Sequence, residues 1–192
     1  MRANGLARQP VIAHNESMKQ RSMTTTAALA CTTMAATTHA QCPEQRLWPL
    51  PQPGSGDFGW DVAMNADHLI VGDRHSDAWC GGDPTCSSGA VYAFRRSPDG
   101  RWQFSQLVFP ADAGRRFAFG TSVALDGDRL VAGASLSDLA GTDVGAAYVF
   151  GFDGERWIET DQITPLPPID SDEHGSIVGI FDRTILMGNN YQ

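Results

Sequence analysis

This sequence predicts an all-β fold built from repeated four-stranded antiparallel units, and three observations predict it. A fifteen-residue block occurs three times without gaps, at residues 58–72 (FGWDVAMNADHLIVG), 119–133 (FGTSVALDGDRLVAG) and 174–188 (HGSIVGIFDRTILMG). Two unlike blocks follow the first two copies in the same order: Gly-Ala-Val-Tyr-Ala-Phe and Gly-Ala-Ala-Tyr-Val-Phe from Gly89 and Gly145, then Asp-Gly-Arg-Trp and Asp-Gly-Glu-Arg-Trp from Asp99 and Asp153. No stretch shows the i, i+3, i+4, i+7 apolar spacing of a helix. Self-similarity at a fixed interval is the mark of a repeat architecture. The 20 Gly and 11 Pro among 192 residues favour short strands and turns over long helices.

The elements follow in chain order. Residues 1–40 hold Arg2, Arg8, Lys19 and Arg21 against one acid, Glu16. From Met18, two positive charges precede an uncharged stretch of Thr and Ala, and small residues precede Gln41. That is the layout of a secretory signal peptide, with cleavage after Ala40; a disordered N-terminal segment is the plainer reading. A secreted, periplasmic or cell-surface location is therefore expected. Residues 41–57 read as a Pro/Gly-rich linker, with Trp48 and Leu50 as a remnant outer strand of an earlier unit.

The repeat region spans 58–192, with units at about 58–109, 119–164 and 174–192. In the second unit, β-prone runs at 122–125 and 130–132 flank Asp126-Gly127-Asp128, a hairpin signal because these residues tolerate positive φ. Residues 146–150 give a third strand, Asp153-Gly154 turns the chain, and 157–163 give a fourth. Each such sheet carries apolar side chains on both faces. Burying a Val, Leu, Tyr or Phe is worth roughly 1.5–3 kcal/mol, so a neighbouring sheet must cover the second face. Sheets stacked around an axis make a β-propeller. The chain holds two full blades and half of a third, an incomplete propeller. Ala63, Ala124, Gly59 and Gly120 suit the crowded inner strand, and Trp102 and Trp157 suit packing on the outer one.

Composition narrows the function. Acids outnumber bases 22 to 14, a net charge of −8, so no basic nucleic-acid footprint is expected. No run of about 18 apolar residues exists, so no membrane-spanning helix is expected. Cys80 and Cys86 flank the turn-like Gly81-Gly82-Asp83-Pro84-Thr85. An exported chain would close that loop with a disulfide; metal binding is the weaker use, since no second Cys cluster accompanies the pair. Cys31 would leave with the signal, and Cys42 stays unexplained.

The candidate ligand-binding residues are Asp73, His75, Asp77, Trp79 and Asp83, in the loop after the second strand of the first unit. Asp138 and Asp143 hold the matching loop of the second unit. The plain alternative is a pair of solvated acidic loops. The first loop is longer, running from Gly72 to Gly89 where its counterpart runs from Gly133 to Gly145. An insertion on one face of a repeat array often marks its binding side. No Gly-x-Ser-x-Gly elbow, spaced His pair or phosphate loop is present, so no catalytic residue is assigned.

These blocks resemble the FG-GAP repeat, the blade unit of the integrin α-subunit propeller and of many bacterial exported proteins. Phe58-Gly59 and Phe119-Gly120 match its first signature. Gly72-Asp73-Arg74, Gly133-Ala134-Ser135 and Gly188-Asn189-Asn190 stand where its Gly-Ala-Pro falls. The resemblance implies a propeller, a binding or adhesive role and no shared catalytic residues. Many relatives carry a calcium loop between the first two strands. Here that place holds only short turns such as Asp126-Gly127-Asp128, whereas Ca²⁺ takes 6–8 oxygens, so no cofactor and no metal is assigned.

The expected function is an exported, non-catalytic module that binds a protein or glycan through its inter-strand loops. The alternative is a truncated structural or accessory module of a larger surface or secreted enzyme. One copy does not close a ring of typically 4–8 blades, so a fragment of a longer product, a truncated copy and a partner-requiring protomer all stay open. Self-association through open strand edges is expected of the last.

Overall fold

The computed structural model describes residues 11–12, 44–49, 56–81, 83 and 85–190. The segment expected to be a signal peptide, apart from Val11 and Ile12, together with Cys42, most of the expected linker including Leu50, and Gly82 and Pro84, lies outside the described residues.

Twelve strands are described. β1 (Val11–Ile12) pairs in parallel with β2 (Gln45–Arg46). β3 (Val62–Met64), β4 (His68–Asp73), β5 (Ala90–Arg96) and β6 (Trp102–Val108) form one antiparallel meander. β7 (Phe119–Asp126), β8 (Arg129–Ala134), β9 (Ala146–Phe152) and β10 (Trp157–Ile163) form a second. β11 (Ile177–Phe181) and β12 (Thr184–Gly188) form a two-stranded sheet. The one helical turn among the described residues is a 3₁₀ turn at Ala78–Cys80. The architecture is all-β, with antiparallel four-stranded sheets of the kind that serve as propeller blades, and we call each sheet a blade below.

The sequence dictates this arrangement strand by strand. In β7 and β8, Asp126 pairs with Arg129 across a two-residue turn in which Gly127 takes φ +56°. The same turn recurs at Asp182–Arg183, between the paired Phe181 and Thr184. Successive side chains of a strand point to opposite faces, and both faces of β4 are buried. Leu69 and Val71 pack with Tyr92, Phe94, Trp102 and Phe58 on one side. Ile70, Val91 and Ala93 pack on the other, against Phe119, Val123, Leu130, Tyr148, Phe150 and Trp157 of the second blade. Val131, Ala147 and Val149 repeat this forward contact, packing against Val178, Ile180, Ile185 and Met187 of the third. Between blades, apolar burial thus runs from one sheet to the next, while the other face of the first blade packs on its own side chains and on Leu47.

The glycines of the repeat set the spacing. A Cβ on Gly72 would sit 2.2 Å from the carbonyl oxygen of Gly120, and one on Gly133 would sit 1.9 Å from that of Gly175. Only a hydrogen fits there, so the backbones of adjacent blades meet directly.

The strand described in this segment lies just before Trp48. β2 is Gln45–Arg46, and the buried side chain of the segment is Leu47, which joins the core of the first blade, while Trp48 is exposed. The side-chain oxygen of Gln45 accepts the Trp102 N–H (2.8 Å) and its amide donates to the Trp102 carbonyl (2.6 Å). Gln106 of β6 does the same to Trp157, at 2.7 and 3.0 Å. Gln45 therefore stands to the first blade as an outer-strand residue of that blade stands to the second.

Candidate functional site

The candidate residues lie in the loops that leave β4 and β8 at one end of the blades. β4 ends at Asp73, which turns inward. Its Oδ1 accepts the Asp57 N–H at 2.6 Å, and the residue is buried. Burial pushes its carboxyl up to about 6; the hydrogen bond from Asp57 pulls the other way, and the Asp57 charge adds to the rise. Asp57 in turn accepts from Arg74 Nε (3.1 Å) and lies 2.8 Å from His75 Nδ1. The Arg74 guanidinium sits 3.3 Å over the ring of the half-exposed Trp60, a cation–π pair.

The loop continues as a stitched unit. Ser76 Oγ meets the Tyr92 hydroxyl at 3.3 Å, and burial pushes that hydroxyl up to about 12. Asp77 is buried, and its carbonyl accepts the Cys80 N–H that closes the 3₁₀ turn. Trp79 stands exposed on that turn. Cys80 and Cys86 are joined by a disulfide, with Cα atoms 6.3 Å apart. Asp83 accepts from the Thr85 N–H (3.0 Å) and hydroxyl (2.8 Å) and from Arg115 Nη1 (3.1 Å); these bonds, the backbone one first, hold its carboxyl below the ordinary value. Arg116 donates its N–H to the Cys86 carbonyl at 2.7 Å, so the loop is tied to the linker between the blades.

The matching loop of the second blade is held likewise. Asp138 Oδ1 accepts the Asp143 N–H at 2.8 Å across a residue at φ +50°. Asp170 Oδ1 accepts the Thr142 N–H at 3.0 Å. The Tyr148 hydroxyl donates to Asp112 at 2.8 Å, and burial, with the Asp112 charge, drives its ionisation well above the ordinary tyrosine value.

The seven candidates thus divide. Asp73 and Asp77 are buried, and the Asp73 carboxylate holds the Asp57 N–H. His75, Asp83 and Asp138 are engaged in pairing or loop closure, and Asp143 is drawn to Asp138. His75, Trp79 and Asp138 are the exposed candidates, and Trp79 is the exposed ring among them. Among the described residues no group of three or more His, Cys, Asp and Glu could hold a metal ion. The short turns where a calcium loop would sit serve the blade contacts instead: Asp126 Oδ2 accepts the Asp182 N–H at 2.6 Å. Trp60, directly after Phe58-Gly59, stands out in the sequence as a tryptophan that does not recur in the second unit, where Thr121 takes its place; its Arg74 partner does not stand out.

Two consecutive four-stranded meanders, packed face to face and carrying their connecting loops at one end, define a stacked-blade repeat protein. The FG-GAP repeat model matches residues 50–94 and again 102–150, and the chain belongs to the FG-GAP repeat family. No curated protein matches the chain.

Proposed function

We propose that this chain is an exported, non-catalytic binding module, part of a β-propeller, that holds a protein or glycan ligand on the loop end of its first blade. The observation that carries this reading is the long loop between β4 and β5. It presents Trp79 outward from a 3₁₀ turn that a disulfide and Arg115 hold in place. Pre-ordering a loop lowers the entropy lost on binding, and an exposed indole gives a large, rigid contact area. Trp60, braced by Arg74, is a second exposed ring at the start of the same blade. A disulfide is a fixture of oxidising compartments, which supports export. Among the described residues no helix is long and apolar enough to cross a membrane.

Screening the folded chain on a glycan array and against extracellular proteins tests the reading. The expected result is a ligand whose affinity falls at least tenfold in Trp79→Ala while the unfolding midpoint stays put. A ligand held equally well by that variant, or none on either panel, contradicts it.

A further inference from the structure

We propose that the forward face of the β11–β12 sheet is an interface that seats the first blade of a second copy of this chain. The inference rests on the blade stacking described above and is independent of the loop-ligand reading.

The last position of the repeated block is Gly72, Gly133 and Gly188. The first two have the carbonyl of the next blade pressed against them, but around Gly188 nothing lies within 4 Å of where a Cβ would stand. Gly188 also lacks the positive φ that would call for glycine. Nothing within the described chain requires a glycine there; a further blade does. The thirteenth position agrees. Ile70 and Val131 are fully buried by the blade that follows, while Leu186 is 70% exposed.

The polar positions of the same face have changed character. At the fourth position, Asp61 Oδ2 accepts the Val123 N–H (2.8 Å) and Ser122 Oγ donates to the Gly175 carbonyl (2.9 Å). At the eighth, Asn65 donates to the Gly127 carbonyl (2.9 Å) and Asp126 accepts from Asp182 (2.6 Å). In the third blade these positions are Ile177 and Phe181, 53% and 80% exposed. The outermost face of a repeat array is polar when it meets water. At these two positions this face is more apolar than the faces inside the chain, which suits a contact buried by association.

The complementary surface is on the same chain. The back of the first blade presents Gly59, at φ +91°, where Gly120 and Gly175 have +85° and +87°. Beside it, Val62 and Met64 are exposed, where their counterparts Val123 and Leu125 are buried and half-buried. Such a head-to-tail contact either closes into a ring or runs on as a filament. Two copies supply six blade positions, within the four to eight of closed propellers, and three supply nine. In the two-copy ring, β2 also gains a use. Through Gln45 it already occupies the outer-strand place of the blade before the first, and that blade would be the partner copy's β11–β12, with only two strands described.

Light scattering on the full chain after size exclusion tests this. The expected mass is twice that of the protomer. Gly188→Val places a side chain into open space, so it leaves the protomer folded but fills the socket; Phe181→Asp charges the face. Both are expected at protomer mass with unchanged circular dichroism, whereas Trp79→Ala keeps the doubled mass. A protomer mass for the unaltered chain overturns the proposal, as does a dimer that survives both substitutions.

Discussion

At the residue scale, Asp73 shows how a candidate ligand becomes part of the frame. Its carboxylate faces inward because the Asp57 N–H needs an acceptor where Gly56 leaves room for one. The position carries a pH signature. With its folded value near 6 and an ordinary value of 3.8, Asp73 binds its proton more tightly when folded. It therefore favours the fold below pH 4, and that contribution is lost as pH rises through 6. At 1.36 kcal/mol per pKa unit the loss is on the order of 3 kcal/mol as an upper bound. Urea unfolding at a series of pH values should show this slope in the unaltered chain and not in Asp73→Asn, which keeps an acceptor for Asp57. Sequence alone could not separate Asp73 from Asp83. Both are loop acids, and only the fold turns one inward and leaves the other at the surface beside Arg115.

At the element scale, the strands were legible and their junctions were not. The runs at 122–125, 130–132, 146–150 and 157–163 all lie within observed strands, because Asp-Gly turns and β-branched or aromatic runs act locally. Trp102 and Trp157 are buried on the outer strands, as their recurrence suggests. The Gln45 and Gln106 clamps carry no sequence signal, since a glutamine in an outer strand looks like solvent-facing filler until the next blade's backbone is beside it. The sequence points to Trp48 and Leu50 for a remnant strand; beside the clamp the buried side chain is Leu47, Trp48 is exposed, and Leu50 lies outside the described residues. Gln106→Ala would leave the Trp157 N–H and carbonyl without side-chain partners. A loss of about 1–3 kcal/mol is expected, read from the urea midpoint, whereas Gln103→Ala on an exposed part of the same strand should stay within about 0.5 kcal/mol.

At the scale of the whole molecule, one rule accounts for the three blocks. A sheet buried on both faces takes its second cover from the next sheet, and glycines let the two backbones touch. The rule was visible in the sequence as doubly apolar strands with glycine at fixed places. What the sequence did not carry was which glycine touches what, because the contacts join Gly72 to Gly120 and Gly133 to Gly175, far apart along the chain. The measurement that tests the rule most directly is the unfolding free energy of Gly133→Ala beside that of Gly188→Ala, at dilutions where protomers are separate. Neither position has positive φ, so both substitutions meet the same backbone preference. The account predicts a loss of roughly 1–3 kcal/mol at Gly133, where the methyl overlaps the Gly175 carbonyl, and no loss at Gly188. Equal effects at the two positions would contradict it.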